Sequence, residues 1–357
     1  MLIDGISRKS IESNDNYEVK IIDQTILPHK LEYIDLKNFS DCCKAIKDMW
    51  VRGAPLIGVT ASYGMFFALK ENSSKKNIEY SFKKLLATRP TAVDLKWALE
   101  NITDVILQIN ENDRADHVWG IARKLEADSI EQCSKIGDYG LEVIKSRIKN
   151  NKTFNILTHC NAGWLACVDW GTALAPIYKA YNSGLDIHVW VDETRPRSQG
   201  AALTAWELSK HGVPNTLIVD NAGGHLMQRG EVDICIVGSD RTAANGDVCN
   251  KIGTYMKALC AFDNDIPFYV AIPESTIDFK LKSGVNNIKI EERSHNEVTY
   301  VRGINEEGKI SKVKITSDFV KSHNPGFDVT PARLVTKLIT DRGICDPSNI
   351  SIRELFK

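Results

Sequence analysis

The segment Phe154–Gly163, FNILTHCNAG, decides how this chain is read. A short, mostly apolar run without helical spacing gives way to His159, Cys160 and Asn161, and then to small residues that suit a turn. The pattern recurs downstream. Val- and Ile-rich runs at His188–Val191, Thr216–Val219, Ile234–Val237 and Phe268–Ala271 read as further strands, with helix-length segments at Thr172–Asn182, Gly200–His211 and Asn250–Phe262 between them. Strands alternating with helices predict a parallel sheet covered on both faces.

Polar, charged or Gly-rich residues follow each strand: His159-Cys160-Asn161, Asp192 to Arg195, Asp220 to Gly224, and Ser239-Asp240-Arg241. Open α/β sheets bind ligands beyond the carboxyl ends of their strands, so four loops are expected to converge on one crevice. The first half differs. From Ser40 to about Ile148 apolar residues recur at three- and four-residue intervals, as at Ile46, Met49 and Trp50, and predict a mainly helical domain. Tyr17–Ile26 and Leu31–Leu36 alternate like short strands and predict a small antiparallel sheet leading into it. The fold class expected is α/β with two domains, residues 1–150 and 151–357, divided at the polar stretch Asn150-Asn151-Lys152. Beyond Pro273 the chain is more polar until Thr330-Pro331, which looks like a helix cap and first turn.

Lys and Arg total 45 against 46 Asp and Glu, a net charge of −1, so no general field draws nucleic acid or an anionic membrane. Any anionic ligand must be met locally. The nine cysteines, an odd number with no CxxC spacing, favour reduced thiols in the cytoplasm over a disulfide framework or a zinc site. Met1–Asn16 lacks an export signal's apolar core, and the apolar runs fall short of the ~20 residues that span a bilayer.

Several groups are candidates for chemistry. A thiol placed like Cys160 serves as acid or base when its surroundings tune it, although a strand-end cysteine is also read as an inert small hydrophobe. His159 should point to the opposite face, which speaks against a Cys–His dyad. Asp240 is either half of a surface ion pair with Arg241 or an acid beside a phosphate seat. That seat is suggested by the turn Asn245-Gly246-Asp247 and by Asn250-Lys251, read as a helix start. Arg52-Gly53-Ala54-Pro55 combines a cation, a glycine permitting close approach and a proline suited to opening a helix. Arg89 sits before a helix beginning near Val93; both segments serve equally as plain connections. Asp192, Glu193, Asp240 and Asp247 invite a Mg²⁺ reading, opposed by the arginine or lysine near every one of them. Neither GxGxxG after a strand nor GxxxxGK[ST] occurs.

Taken together, RGAPLIG (52–58), TRPTAV (88–93), THCNAG (158–163), VDETRPRSQGA (191–201) and VGSDRTAANGDVCNKIGTY (237–255) resemble the 5-methylthioribose-1-phosphate isomerase family of methionine salvage, a relative of the regulatory subunits of the eukaryotic translation initiation-factor exchange complex. The resemblance implies a Rossmann-like C-terminal domain, a homodimer, a small sugar-phosphate substrate and no cofactor or metal. It implies Cys160 and Asp240 as catalytic groups, and substrate contacts from Arg52, Gly53, Ala54, Arg89, Gln199, Asn250 and Lys251. A phosphate on the anomeric oxygen blocks spontaneous ring opening, so an acid, Asp240, must protonate the ring oxygen while Cys160 carries the proton of the neighbouring carbon; a hydride shift is the other route. Trp164, Cys167, Asp169 and Trp170 depart from the small residues common in the family after THCNAG. They either reshape the pocket for the 5-substituent or simply pack. A 5-deoxyribose-1-phosphate or ribose-1,5-bisphosphate isomerase, a non-catalytic sensing subunit and a metal-dependent phosphatase are the competing readings.

Overall fold

The computed structural model describes residues 1–89, 93–148 and 152–357. The expected boundary at Asn150-Asn151, and Pro90-Thr91 of the TRPTAV motif, lie outside the described residues. The chain opens with a short strand pair, β1 (Leu2–Ile3) and β2 (Ile6–Ser7), and an antiparallel sheet of β3 (Ile11–Ser13), β4 (Val19–Ile22) and β5 (Tyr33–Leu36). Helices α1 (Phe39–Lys47), α2 (Ala54–Glu71), α3 (Lys75–Leu86), α4 (Val93–Ile106) and α5 (Arg114–Arg147) follow. Asn38 caps α1 and Ser74 caps α3, each accepting a first-turn amide. Helix α2 is buried on nearly every side because α1, α3, α4 and α5 surround it, which is why its apolar residues show little helical periodicity.

The second half is built on a seven-stranded sheet of order β18-β17-β12-β9-β6-β7-β8. Its members are β6 (Phe154–Thr158), β7 (Ile187–Asp192), β8 (Asn215–Ile218), β9 (Ile234–Val237), β12 (Phe268–Ala271), β17 (Lys337–Thr340) and β18 (Gly343–Cys345), all parallel except β18. Helices α6 (Ala175–Asn182), α7 (Ala205–His211), α8 (Ala222–Gln228) and α9 (Thr254–Asp263) cover it. Side chains alternate as a pleat requires: Phe154, Ile156, Val189 and Ile236 join the core under α5 and α6, whereas Leu157, Cys235, Val237 and Val270 join the one under α9 and α11 (Asn349–Leu355). This is the mixed α/β class the sequence predicts, a helical N-terminal region with a small sheet ahead of a mostly parallel one.

A second sheet, of β10 (Arg241–Ala243), β11 (Val248–Lys251), β13 (Ile277–Asp278) and β16 (Phe327–Thr330), was not legible. Nor was the hairpin of β14 (Tyr300–Ile304) and β15 (Ile310–Lys314), which follows the short helix α10 (Asn296–Thr299). Three expectations need correction. Asn250 and Lys251 do not start a helix: they end β11, held antiparallel to β16 by the pairs Asn250↔Asp328 and Lys251↔Phe327, and α9 begins after Gly253. Thr330 ends β16, and Pro331 leads into a single 3-10 turn, Ala332–Leu334, before β17 claims the chain. The segment Gly200–His211 opens with a π-helical turn, Gly200–Thr204, and only then becomes α7.

Helix α5 is ~50 Å long at its 34 residues and enters both cores. Val118 and Ala122 pack in the helical one, and Ile136 and Ile144 lie against the parallel sheet. Close approach to α6 depends on Gly140, where an added Cβ would sit 2.2 Å from Pro176 Cγ. Gly120, on the same helix, has nothing within 4 Å of such a Cβ. Helix propensity favours alanine over glycine by ~1 kcal/mol at both positions, but overpacking against a rigid proline costs ~1–3 kcal/mol. Gly120→Ala is therefore expected to raise stability in urea denaturation and Gly140→Ala to lower it; a stabilised Gly140→Ala protein would contradict this packing.

Candidate active site

The sheet order reverses beside β6. The chain steps outward through β7 and β8, then returns to place β9 on the other side of β6. The loops after β6 and β9 leave in different directions and open a crevice at the carboxyl end of the sheet. Cys160 follows β6 and Asp240 follows β9, and both line that cavity, which holds about 790 Å³ including its open mouth.

Cys160 has a φ of 64°, a left-handed conformation uncommon for a side-chain-bearing residue. It is held from both sides. Its amide donates to Thr194 Oγ1 (2.8 Å), and its carbonyl accepts from Thr204 Oγ1 (2.6 Å). Such strain persists where surrounding bonds enforce it, and it turns the side chain into the cavity. Burial pushes the Cys160 thiol above its ordinary range, while Arg52 and Lys251 pull it back. Asp240 is partly exposed into the cavity, and the enclosing protein raises its carboxyl above the ordinary range against Lys251, Arg52 and Arg89. The proposed surface pair with Arg241 does not form: that guanidinium turns to Asp278, donating from Nε at 3.1 Å.

Arg52, Gly53, Ala54, Arg89, Gln199, Asn250 and Lys251, from four separated stretches of sequence, line the same cavity. Gly53, at φ 90°, opens α2, and a Cβ there would meet the Ala166 carbonyl oxygen at 2.3 Å. Arg52 donates to both oxygens of Asn161, and Lys251 Nζ donates to the Gly326 carbonyl (2.8 Å) above the Phe327 ring. These acceptors are neutral, so neither positive charge is cancelled by its own hydrogen bond. Gln199 Oε1 and Arg89 Nε are buried without a hydrogen-bond partner. The free Arg89 donor and the cations suit a small anion, and the free Gln199 oxygen suits a hydroxyl donor on the same ligand.

Other expectations are revised by this geometry. The phosphate seat cannot be the start of α9, because the Gly253 and Tyr255 amides donate to the Asp328 carboxylate (2.7 and 3.1 Å). The loop after β8 stays out of the cavity and acts behind it. Asp220 accepts the Thr194 and Arg195 amides, each at 2.7 Å, and so secures the loop after β7. His159 also borders the cavity, but its ring nitrogens are engaged by Asp192 Oδ2 (2.8 Å) and the Ile252 carbonyl (2.9 Å) rather than by Cys160. The four-carboxylate metal reading also loses two of its members, Asp247 and Asp192, to other work. Asp247 accepts the Gly284 and Ala332 amides (2.9 Å each), and Asp192 pairs with Lys257 (3.1 Å). His159, Asp192 and Asp220 do bring ligand atoms within 4.8 Å of one another, but the Lys257 ammonium already supplies the cation there.

Trp164 and Trp170 pack rather than shape the pocket. Trp164 is fully buried against Trp206, Trp170 lies beside Lys179, and neither belongs to the cavity wall. Sequence reasoning missed Asn161, Arg197 and Arg293, which also line the cavity. Asn161 and Arg197 stood inside recognised motifs. Arg293 stood in the polar segment after Pro273 with no signal; it reaches the site because Glu297 accepts from it (2.7 Å) and from Arg197 (2.9 Å).

A Rossmann-like sheet with a cation-lined crevice at its switch point defines a class of small-anion sites; the comparisons narrow it. Residues 50–347 match the Initiation factor 2 subunit family. The methylthioribose-1-phosphate isomerase of Paramagnetospirillum magneticum is 53% identical, with 100% of this chain and 99% of that one covered. The enzyme of the same name from Rhizobium meliloti is 54% identical, with coverages of 96% and 95%. Among solved structures, 5-methylthioribose 1-phosphate isomerase from Pyrococcus horikoshii superposes with a TM-score of 0.85 at 38% identity, covering 98% of this chain and 96% of that one. The translation initiation factor eIF-2B delta subunit from A. fulgidus follows at 0.81 and 37%, with 98% and 99% covered. The chain belongs to the Initiation factor 2 subunit family and, within it, to the methylthioribose-1-phosphate isomerases, a family of sugar-phosphate-isomerising enzymes.

The raised Cys160 thiol makes a checkable statement. A thiol whose pKa is raised holds less thiolate at neutral pH than a free cysteine, so its carbamidomethylation by iodoacetamide, followed by mass spectrometry of the Cys160 peptide, should be slow at pH 7 and rise later with pH than for free cysteine. Lys251→Met removes a cation that lowers the pKa, and should push that rise higher still; a thiol that reacts fastest near neutrality would contradict the electrostatics.

Proposed function

We propose that this chain converts 5-methylthioribose 1-phosphate to 5-methylthioribulose 1-phosphate, with Asp240 as the acid and Cys160 as the proton carrier. The observation that carries the reading is the pairing of these two groups: they stand at the ends of neighbouring strands and face one cavity with Arg52 and Lys251 beside them. Arg52, Arg89 and Lys251 supply the positive charge a phosphate dianion needs. Gly53 and Ala54 bring the start of α2 close to it, and Gln199 and Asn250 offer polar contacts to the sugar.

The chemistry follows from the electrostatics. A carboxyl raised by its enclosure gives up its proton less readily than a free one, which suits it to protonate the ring oxygen and so release the ring. The proton on the neighbouring carbon then passes to the Cys160 thiolate, which becomes the thiol and returns the proton to the anomeric carbon; Arg52 and Lys251 stabilise that thiolate before the transfer and the charge on the enediol oxygens after it. The same pair of groups argues against the sensing role suggested by the initiation-factor relative, since a site that only binds has no need of a strained thiol opposite a raised carboxyl.

Residues 1–150 and 151–357 are proposed as two domains that share the site, the first contributing Arg52 and Arg89. Separate cores support this, although Met1, Ile3 and the C-terminal half of α5 pack with the parallel sheet. No helix among the described residues is long and apolar enough to cross a membrane, and the nine free cysteines suit a reaction carried out in the cytoplasm.

A homodimer is also proposed, through the outer edge of the sheet. Leu217 and Val219 at edge strand β8, and Met256, Leu259 and Phe262 along one side of α9, are exposed apolar side chains, with Phe262 at 62%. Sedimentation should give a dimer, reduced toward monomer by Phe262→Glu; a monomeric unmodified chain would end the proposal.

Cys160→Ser and Asp240→Asn, verified as folded by circular dichroism, should each lose ~10²–10⁴-fold in turnover. Near-normal rates in either would remove the mechanism. Assays run side by side on 5-methylthioribose 1-phosphate, 5-deoxyribose 1-phosphate and ribose 1,5-bisphosphate should favour the first. A hydrophobic pocket separates the methylthio and methyl substituents by only ~1–3 kcal/mol, so turnover of the 5-deoxy sugar at a reduced rate is expected as well.

A further inference from the structure

Glu207, on α7, has no solvent exposure and is not part of the cavity wall, yet it stands directly behind it. Its Oε2 accepts the Leu165 amide (3.2 Å) and its Oε1 accepts Asn161 Nδ2 (3.3 Å). Nδ2 of Asn161 also donates to Thr204 Oγ1 (3.1 Å). With its N–H groups engaged at the rear, the carboxamide presents its oxygen to the cavity. That Oδ1 accepts from Arg52 Nη1, while the Asn161 main-chain carbonyl accepts from Nη2 at 2.8 Å. A flipped amide would set N–H groups against a guanidinium that has only donors.

The arrangement also accounts for Gly163 in the THCNAG motif. A Cβ at that position would lie 1.3 Å from Glu207 Oε1, so the carboxyl reaches Asn161 only over a glycine. Thr204, in the π-helical turn, completes the link by donating to Cys160, so the same small network steadies the thiol-bearing residue.

We propose that Glu207 is a positioning residue for Arg52, acting at one remove through the Asn161 carboxamide and thereby setting the site's affinity for phosphate. The inference rests on reading the cavity as a sugar-phosphate site. The groups that face Glu207 are Arg52, Tyr178 of α6 and Cys167. Burial pushes the Glu207 carboxyl up to about 8, so it carries its proton at neutral pH and gains charge in mildly alkaline solution. A buried carboxylate draws Arg52 inward and cancels part of its field at the cavity. Phosphate affinity therefore falls as pH rises through that value.

Inorganic phosphate, titrated calorimetrically into the full-length chain, tests this without requiring turnover. Glu207→Ala is expected to raise the phosphate Kd at pH 7 by ~10-fold, and to add less than ~2-fold in an Asn161→Ala background, since the effect passes through that amide. Glu207→Gln removes the ionisation, so its loss of affinity between pH 7 and 9 should be at least ~3-fold smaller than that of the unmodified chain. Lys251, whose burial lowers its pKa, is common to both proteins, so any contribution from it cancels from the comparison. A full-sized Glu207→Ala effect in the Asn161→Ala background, or coincident pH profiles for the Gln variant and the unmodified chain, would overturn the proposal. Should Glu207→Ala fail to fold, the Gln profile decides alone. A chain that binds phosphate in this way yet leaves 5-methylthioribose 1-phosphate unchanged would sink the proposed reaction and leave the role of Glu207 standing.

Discussion

Everything at the site depends on the hydrogen-bonded register between β6 and β9, strands adjacent in the sheet but almost eighty positions apart in sequence. Ile156 pairs with Ile234 and Leu157 with Cys235, so both strands end at the same level. That alignment brings the residue two beyond one strand and the residue three beyond the other to a common crevice. A parallel ladder buried on both faces tolerates no slippage of one residue, because a slip would exchange the two apolar faces that separate cores now cover. The placement of Cys160 and Asp240 is thereby tied to core packing.

Around this register the protein spends polar interactions on holding loops rather than on lining the pocket. Asp220 secures the loop after β7, His159 joins Asp192 to the end of the strand that carries Lys251, Asp328 closes the start of α9, and Asp247 gathers the chain near Gly284 and Ala332. Each is a carboxylate or imidazole satisfied by main-chain or charged partners, as buried polar groups must be. Two of the cations that face the cavity, Arg52 and Lys251, are supported by neutral oxygens, so their field is directed into the cavity instead of being consumed inside the protein, whereas Arg197 and Arg293 share the Glu297 carboxylate.

The parallel strands were legible because they are short, apolar and β-branched. The central ones were placed to within a residue, and the N-terminal helices were legible from their spacing. The second sheet was not, since its strands run two to four residues and β11 carries the polar pair Asn250-Lys251, which looks like a helix opening. What makes that pair a strand is the distant partner β16. Arg293 was invisible for the same reason: its place is set by Glu297 and by the return of the chain through β16, contacts that leave no local pattern. The two tryptophans after THCNAG were read with both outcomes open, and the space beneath α6 and α7 decided for packing.

Residue type and local order determined by themselves that this chain would form helices followed by a parallel sheet, and that reactive groups would gather at strand ends, because periodicity and turn chemistry act over a few neighbouring positions. The motifs determined the family. Only the tertiary structure decided that cations from separate segments meet in one cavity while the first amides of α9 go to Asp328, that Asp240 is freed from Arg241, and that Glu207 stands behind Arg52. Those outcomes depend on which groups are desolvated together and which acceptors remain for each donor, and burial of that kind is a property of the packed chain, with no counterpart in any single stretch of it.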